Sequence, residues 1–481
     1  MSNSLASRRS FLKGSLAAGA ALTMPACLKA QGANDRIRLG LIGAGGRGGQ
    51  LADGFSKLRD AKIVAVADPD ESHAGGMARK LGARPYADAR RLLEDKTIDA
   101  VIIATCNHWH CLAAIWACQA GKDVYVEKPL GHNQREGEML FAAAKKYDRI
   151  VQVGTQQRSD PVQQEIKDFI DSGKIGKPKW IHANRYGVRG PIGKRAAPLE
   201  IPSTVDYDLW LGPALDEPIF RNSLHYDWHW DFNTGNGEMG NWGVHILDDV
   251  RNVGTRDRCT MPLRVLAGGG RVVWDDAGDT PNVHFAYYDT GVVPVVFGLT
   301  NLPSKPGAKG SLHYKGTGSG YVIECEGGWY AGGRGGGAAC DQSGAQIAEL
   351  KGNSGQGHDA NFLQAVRARD ASILNSDVVT GHHSSGWCNV ANIAYRVGGA
   401  FSQEEAMEIN RGYGPWEDLL GDMEEHLAAH GVRLSDKSIR LSPVLEMDPK
   451  TERFVGPTAE AANKLLTREY RKAEFTIGET V

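Results

Sequence analysis

Apolar and polar residues alternate in two different rhythms along this chain, and the change of rhythm divides it. From about 36 to 154, short apolar runs take turns with amphipathic stretches. The runs at 37–42, 62–67, 99–104, 123–126 and 149–153 have the length and composition of buried strands. The stretches at 46–58, 71–82, 88–94, 109–120 and 133–147 have helical spacing. Such alternation predicts a doubly wound parallel sheet. Residues 161–171 read as a further helix, stopped by Gly173. Strand-like runs then follow at 178–186, 262–274, 283–289, 291–299 and 320–325, which predicts an open, mainly antiparallel sheet. Helical spacing returns at 358–369 and 383–400, while the Gly-rich stretch 327–338 reads as a loop. Residues 415–481 carry a helix at 416–429, a Pro-containing connection and a helix near 458–471.

The first strand runs directly into Gly43-Ala44-Gly45-Gly46-Arg47-Gly48. Gly43 permits a tight turn, Gly45 lets backbone approach a pyrophosphate, and Gly48 lets helix and strand pack closely, with Gly46 a further cofactor contact in the loop. Helix N-terminal N–H groups would face the phosphate charge. The second strand ends on Asp68, placed to accept from ribose hydroxyls. Glycines alone are also what an ordinary turn uses. The strand before them, the helix after them and the acid at this distance together point to a dinucleotide. A carboxylate repels a 2′-phosphate, and Pro69, Asp70 and Glu71 supply no cation. NAD is therefore favoured over NADP, with Arg47 the one cation in the glycine loop.

A chain of 481 residues with formal net charge -2 has room for two domains and no basic stripe for nucleic acid. Its eight cysteines form no CxxC pair. Cys106-Asn107-His108-Trp109-His110-Cys111 matches no zinc spacing, so buried thiols are expected and no metal. Ser7-Arg8-Arg9-Ser10-Phe11-Leu12-Lys13 resembles a twin-arginine export signal, and the apolar segment 14–24 is too short to span a bilayer. Residues 1–33 are read as that signal, which implies an exported, periplasmic protein without a membrane span. Cys27 follows Met-Pro-Ala, a poor lipidation context, so an anchor there is not favoured. Twin-arginine export carries folded proteins. A dinucleotide taken up before export would then be tightly held and regenerated within each cycle.

Glu127-Lys128-Pro129 ends the strand at 123–126, where open α/β sheets place their ligand. A partly desolvated Lys there can assist deprotonation of a hydroxyl; a surface Lys in a turn is the plainer reading of the tripeptide alone. The glycine loop, Asp68, Ala104-Thr105 with His108-Trp109-His110, and Glu-Lys-Pro, in this order, resemble the Gfo/Idh/MocA oxidoreductases, relatives of glucose–fructose oxidoreductase and inositol dehydrogenase. The likeness continues through Asp208-Leu-Trp-Leu-Gly-Pro, Gly240-Asn-Trp-Gly-Val-His245 and His358-Asp-Ala-Asn-Phe362.

The resemblance implies an α/β protein with a Rossmann domain at 34–155. A substrate-binding α+β domain at 156–410 would follow, with an open sheet and a helix packing back on the first domain, and then an extension at 411–481. It implies cofactor contacts from Thr105, Asn107, His110, Glu127 and Lys128 beside the glycine loop and Asp68. It implies catalysis by a Lys, an Asp and, four residues later, a His. This chain has Lys128 and His245, with Asn241 where the Asp would stand. An amide cannot take a proton, so Asn241 is left to orient a hydroxyl and His245 becomes the proton acceptor; a structural, helix-capping role is the alternative for His245.

The segment His225-Tyr-Asp-Trp-His-Trp-Asp231 offers Trp228, His229 and Asp231 as sugar contacts or as core packing, and Arg158 and Tyr186 are further candidates. The leading expectation is hydride transfer between a secondary alcohol of a sugar, glycoside or cyclitol and bound NAD. One alternative is NAD-dependent glycoside hydrolysis through transient oxidation, elimination, water addition and re-reduction. Another is a non-catalytic sugar-binding protein, for which Asn241 is the support. Subunits are expected to pair through the C-terminal sheet.

Overall fold

The structure, a computed structural model, describes residues 36–409, 411, 413–478 and 480. The twin-arginine segment and Cys27 lie outside the described residues.

Six strands form the first sheet: β1 (Ile37–Ile42), β2 (Ala61–Ala67), β3 (Arg84–Tyr86), β4 (Ala100–Ile103), β5 (Asp123–Val126) and β6 (Val151–Val153). All pairings are parallel, in the order β3-β2-β1-β4-β5-β6. β1, β4 and β5 are buried on both faces, which is why they read as unbroken apolar runs rather than as alternation. One face packs on the helices Gly46–Phe55 and His358–Ala368, where Phe55, Tyr125 and Phe362 meet edge to face. The other packs on the helices His110–Gln119 and Gln134–Lys146. Strand order reverses between β1 and β4, so the carboxyl ends of these strands frame a crevice. The sequence pattern misses β3, a three-residue edge strand with little burial to mark it.

The second sheet has eleven strands. Its principal members are β7 (Pro178–Tyr186), β8 (Arg264–Gly270), β9 (Val283–Asp289), β10 (Val295–Thr300), β11 (Ser319–Cys325), β12 (Gly328–Gly333), β13 (Gly336–Asp341) and β14 (Gln346–Lys351). Among the described residues of this sheet, only β7 and β10 pair in parallel. The Gly-rich stretch 327–338 is therefore not a loop but the hairpin β12–β13. A Cβ on Gly336 would lie 2.0 Å from the Leu350 carbonyl oxygen, and one on Gly337 2.2 Å from that of Ala331. The backbones approach so closely that side chains, and with them the pattern that reveals strands, are excluded.

The connection after the helix Gly414–Ala429 likewise holds three short strands, β15 (Ile439–Leu441), β16 (Leu445–Asp448) and β17 (Arg453–Val455). These add to the sheet beside β8, and the expected helix at 458–471 shortens to Ala459–Lys464.

One face of this sheet carries the helices Val162–Asp171, Val244–Asp249 and Val378–Val397. Over β8–β10 the other face is covered by Gly414–Ala429, whose Trp416, Leu419, Leu420 and Met423 pack on Leu266, Phe285 and Val296. Over β8–β10 this face is thus occupied by the chain's own helix Gly414–Ala429.

Candidate active site

The crevice at the ends of β1, β2, β4 and β5 opens into a cavity of about 520 Å³. Its floor is the glycine turn. Gly43 has φ +88°, and a Cβ there would lie 2.7 Å from the Ala104 carbonyl. A Cβ on Gly48 would lie 2.0 Å from the Gly43 oxygen. Gly45 and Gly46 instead face open space, so backbone alone borders the cavity beside a helix start. This is the cradle a pyrophosphate requires.

Asp68 is buried on the same wall. Its carboxylate accepts from Ala44 N at 2.7 Å and Asp70 N at 2.9 Å, fixing both ends of the crevice. Burial pushes its pKa up, and the two N–H groups oppose that rise. The Arg47 guanidinium turns away from Asp68 and donates to Glu127 Oε1 at 2.7 Å.

Burial disfavours ionisation of Glu127, but Arg47 and Lys128 outweigh it and hold the carboxyl below its ordinary value. Lys128 Nζ donates to the Asn241 backbone oxygen at 2.8 Å and lies 3.3 Å from Asn241 Oδ1. Thus the end of β5 meets the second domain at the cavity wall. Burial lowers the Lys128 pKa, with Glu127 opposing and Arg47 adding to the depression. His245 stands four residues beyond Asn241, is 8 % exposed, and has Nδ1 buried without a hydrogen-bond partner. Burial, then the charges of Lys128, Arg334 and Arg47, hold its pKa well below 6.5, so the imidazole is neutral at physiological pH.

The other sequence candidates divide. Thr105, Asn107, His110, Trp228 and His229 line the cavity. His110 is locked there, its ring nitrogens at 2.7 Å from Pro129 O and 3.2 Å from Thr105 O. His229 Nε2 is buried without a partner, a free polar atom on the wall. Arg158, Tyr186 and Asp231 do not reach the cavity, and His245 is not among the residues that line it. Arg158 is held between Asp248, at 2.7 Å, and Asp257, at 2.8 Å. Tyr186 packs under Gly298 on the far face of the sheet, with its hydroxyl on His182. Asp231 pairs with Arg221 at 3.1 Å and accepts from Asn233 N. Sequence order placed all three near the cleft; strand facing and oppositely charged partners took them away.

The Cys106–Cys111 segment assembles no metal cluster among the described residues. His108 is bound to the Thr234 and Trp210 carbonyls, and Cys111 Sγ donates to Leu130 O.

Two residues that sequence reading missed shape the site. Glu238, fully buried, accepts from Asn241 Nδ2 at 3.0 Å and from Arg185 Nε at 2.8 Å. It thereby turns the Asn241 oxygen toward Lys128. Arg334, at the tip of the glycine hairpin, directs positive charge at both Lys128 and His245. Its isolation among five glycines, at 332, 333 and 335–337, was the available signal.

Buried imidazoles also predict acid sensitivity. Burial pushes His108, His182 and His284 down to about 3 and His229 to about 4. An unfolded His titrates near 6.5, so below that pH the unfolded chain binds the more protons and each group removes stability as pH falls toward its folded value. Asp279, pushed up to about 7 by burial, works in the opposite sense. Among the described residues, ten imidazoles are lowered by burial against seven carboxylates raised, so the urea midpoint is expected to fall from pH 6.5 to 4.5. An unchanged midpoint across that range would contradict this.

Family profiles match most of the chain. An oxidoreductase-family NAD-binding Rossmann profile matches residues 37–155, its partner C-terminal alpha/beta domain matches 160–411, and a twin-arginine translocation signal matches 6–25. Among curated proteins, the chain is 33% identical over 156 residues to myo-inositol 2-dehydrogenase of Thermotoga maritima, covering 32% of this chain and 46% of that one. It is 37% identical over 145 residues to scyllo-inositol 2-dehydrogenase (NAD(+)) of Bacillus subtilis, covering 30% and 42%. The chain thus spans less than half the length of these two relatives. Among solved structures, the WlbA dehydrogenase of Bordetella pertussis in complex with NADH and UDP-GlcNAcA superposes with TM-score 0.53 at 17% identity, over 73% of this chain and 94% of that one. Biliverdin reductase of Synechocystis with biliverdin and NADP+ gives 0.54 at 18%, over 75% and 99%. These structural likenesses speak to the fold.

Proposed function

The chain belongs to the Gfo/Idh/MocA oxidoreductase family, and from that premise we propose that it moves hydride between NAD and a secondary alcohol of a sugar, glycoside or cyclitol. The observation that carries the reading is the desolvated Lys128 ammonium, which bridges to Asn241 on the wall of the glycine-turn cavity.

When bound, a nicotinamide dinucleotide supplies the hydride-accepting carbon. The chain supplies placement and proton handling. Gly45 and Gly46 leave room for the pyrophosphate, and Asp68 selects unphosphorylated ribose. Lys128 Nζ exchanges its bond to Asn241 for one to the substrate hydroxyl, and Asn241 Oδ1 orients it. The neutral His245 imidazole takes the hydroxyl proton, and the nearby Lys128 charge favours the oxyanion left behind. Trp228 and His229 would face the sugar.

A second reading is supported by the twin-arginine match beside a dinucleotide fold. Little free NAD is expected outside the inner membrane, which suits a cycle that restores its own hydride. Net glycoside hydrolysis by oxidation, elimination, water addition and re-reduction is such a cycle.

One experiment separates the readings. Nucleotide released from purified protein is identified by mass spectrometry, and the protein is then given a sugar and cyclitol panel, with nitrophenyl glycosides in parallel. NAD rather than NADP in the release and NADH absorbance with one sugar are expected. Nitrophenol without net NADH selects hydrolysis. No nucleotide and no reaction with any compound would defeat both.

A further inference from the structure

We propose that His382, His383, Glu452 and Gln134 form a divalent-cation site of the zinc class, which pins the C-terminal extension to the long helix of the second domain. His382 and His383 sit in the first turns of Val378–Val397, whose start is fixed by Asp377 accepting from Thr380 N at 2.8 Å. Glu452 lies on the β16–β17 turn with φ +55°, held by its own N–H to Asp448 O at 2.8 Å. The next residue, Arg453, is anchored to Glu138 at 2.6 Å. The two rings therefore meet the carboxylate from a different part of the chain, with His382 Nε2 2.7 Å from Glu452 Oε2 and His383 Nε2 3.4 Å from Glu452 Oε1. One ligand atom from each of the three lies within 4.8 Å of the others. Tetrahedral zinc with bonds of about 2.0–2.1 Å needs ligand atoms roughly 3.3–3.5 Å apart, which small side-chain shifts would supply.

Proton bookkeeping favours a cation. Gln134 Nε2 lies 3.0 Å from His382 Nε2 and also contacts Glu452 Oε2. A single ring nitrogen cannot accept from the amide and donate to the carboxylate at once. Gln134 is 1 % exposed, and its Oε1 is buried without a partner. Turning the amide over would place that oxygen beside His382 and Glu452 and assemble four ligand atoms without protons: two imidazole nitrogens, a carboxylate oxygen and an amide oxygen. Such a set suits a borderline cation. His383 and Glu452 are only partly buried, which leaves an ion a path from solvent.

Occupancy would stiffen the active site from behind. On the same helix, Ser385 Oγ accepts from Leu130 N at 2.7 Å, two residues from Lys128, and Ser384 Oγ donates to Asp248, three residues after His245.

Tag-free full-length protein is stripped with EDTA, dialysed against zinc chloride and freed of excess metal. Elemental analysis is expected to find one zinc per chain, with the melting temperature raised by roughly 3–5 °C. His383→Ala, which leaves the His382–Glu452 bond in place, and Glu452→Gln are both expected to lose the stoichiometric zinc and its thermal shift. Each is first checked for folding by gel filtration and circular dichroism, and either folded variant suffices. Less than a tenth of an equivalent on the wild type would overturn the proposal and leave a hydrogen-bonded histidine–carboxylate pair. So would a folded variant that still holds one zinc per chain.

Discussion

Replacing Lys128 by alanine is expected to cut turnover about 10²–10⁴-fold while the dinucleotide stays bound. The asymmetry follows from the charges around Glu127. That carboxylate is buried, and a buried carboxylate stripped of its partners is costly. Arg47 remains 2.7 Å away when Lys128 is gone, and Gln156 Nε2 still donates at 3.3 Å. Glu127 therefore keeps an ion pair with Arg47 of the glycine turn, and the end of β5 and the turn at the cavity floor keep their shape. What disappears is the ammonium that meets Asn241 and favours the oxyanion.

His245→Ala should act in the same direction through the proton rather than the charge. Single-turnover NADH formation, bound nucleotide by absorbance and melting temperature separate these effects. Turnover within threefold of wild type, with nucleotide retained, would remove Lys128 from the chemistry. The wild-type pH profile supplies a further check. Burial lowers the Lys128 pKa, so the cation is lost as pH rises through a value below the ordinary lysine range. An alkaline loss of rate should appear there and vanish in Lys128→Ala.

Much of this architecture is legible in the sequence where periodicity has room to express itself. The Rossmann strands are buried on both faces and read as apolar runs; helices such as Gln134–Lys146 carry one apolar stripe, while His110–Gln119 is buried almost all round. Legibility fails where side chains stop reporting on backbone. β12 and β13 are hidden because at Gly328, Gly336 and Gly337 neighbouring backbone leaves no room for a Cβ, and glycines there blank out the pattern. β15 to β17 are too short for any period.

The site follows the same logic. Gly43, Gly48, Asp68 and Lys128 are bound to local strand–turn geometry, so their neighbours in sequence place them. Arg158 and Asp231 are placed by cations and carboxylates remote in sequence, Asp257 and Arg221 among them, and no local pattern encodes those pairings. Glu238 escaped notice because its importance lies in a single bond to the amide of Asn241. That bond also gives a physical account of how the chain works with an amide at this position. A carboxylate, that of Glu238, stands one turn earlier and fixes the amide oxygen that faces Lys128.

Gly48→Ala is expected to yield protein with less than a tenth of the wild-type nucleotide content. The added methyl would sit 2.0 Å from Gly43 O and 2.9 Å from Gly43 C. Gly43 cannot retreat, because its own Cα already faces the backbone of Ala104 and Thr105 at the distance where a Cβ would be 2.7 Å away. The turn is thus a three-layer stack of backbone, and the strain must go into moving the helix Gly46–Phe55 off β1. Overpacking of this kind costs about 1–3 kcal/mol even without ligand, so the nucleotide-free variant should also melt below nucleotide-free wild type.

Gly46→Ala makes the internal control. Its methyl would meet nothing within 4 Å, so the fold should keep its melting temperature, while a ligand brought against the turn would collide with it and bind at least tenfold more weakly. A loss of stability in one variant and of affinity alone in the other is the signature of a glycine turn built in two parts, one to close the backbone and one to admit phosphate. If Gly48→Ala instead keeps stoichiometric nucleotide, the dinucleotide does not rest on this turn, and the roles drawn for Asp68 and Lys128 fall with it.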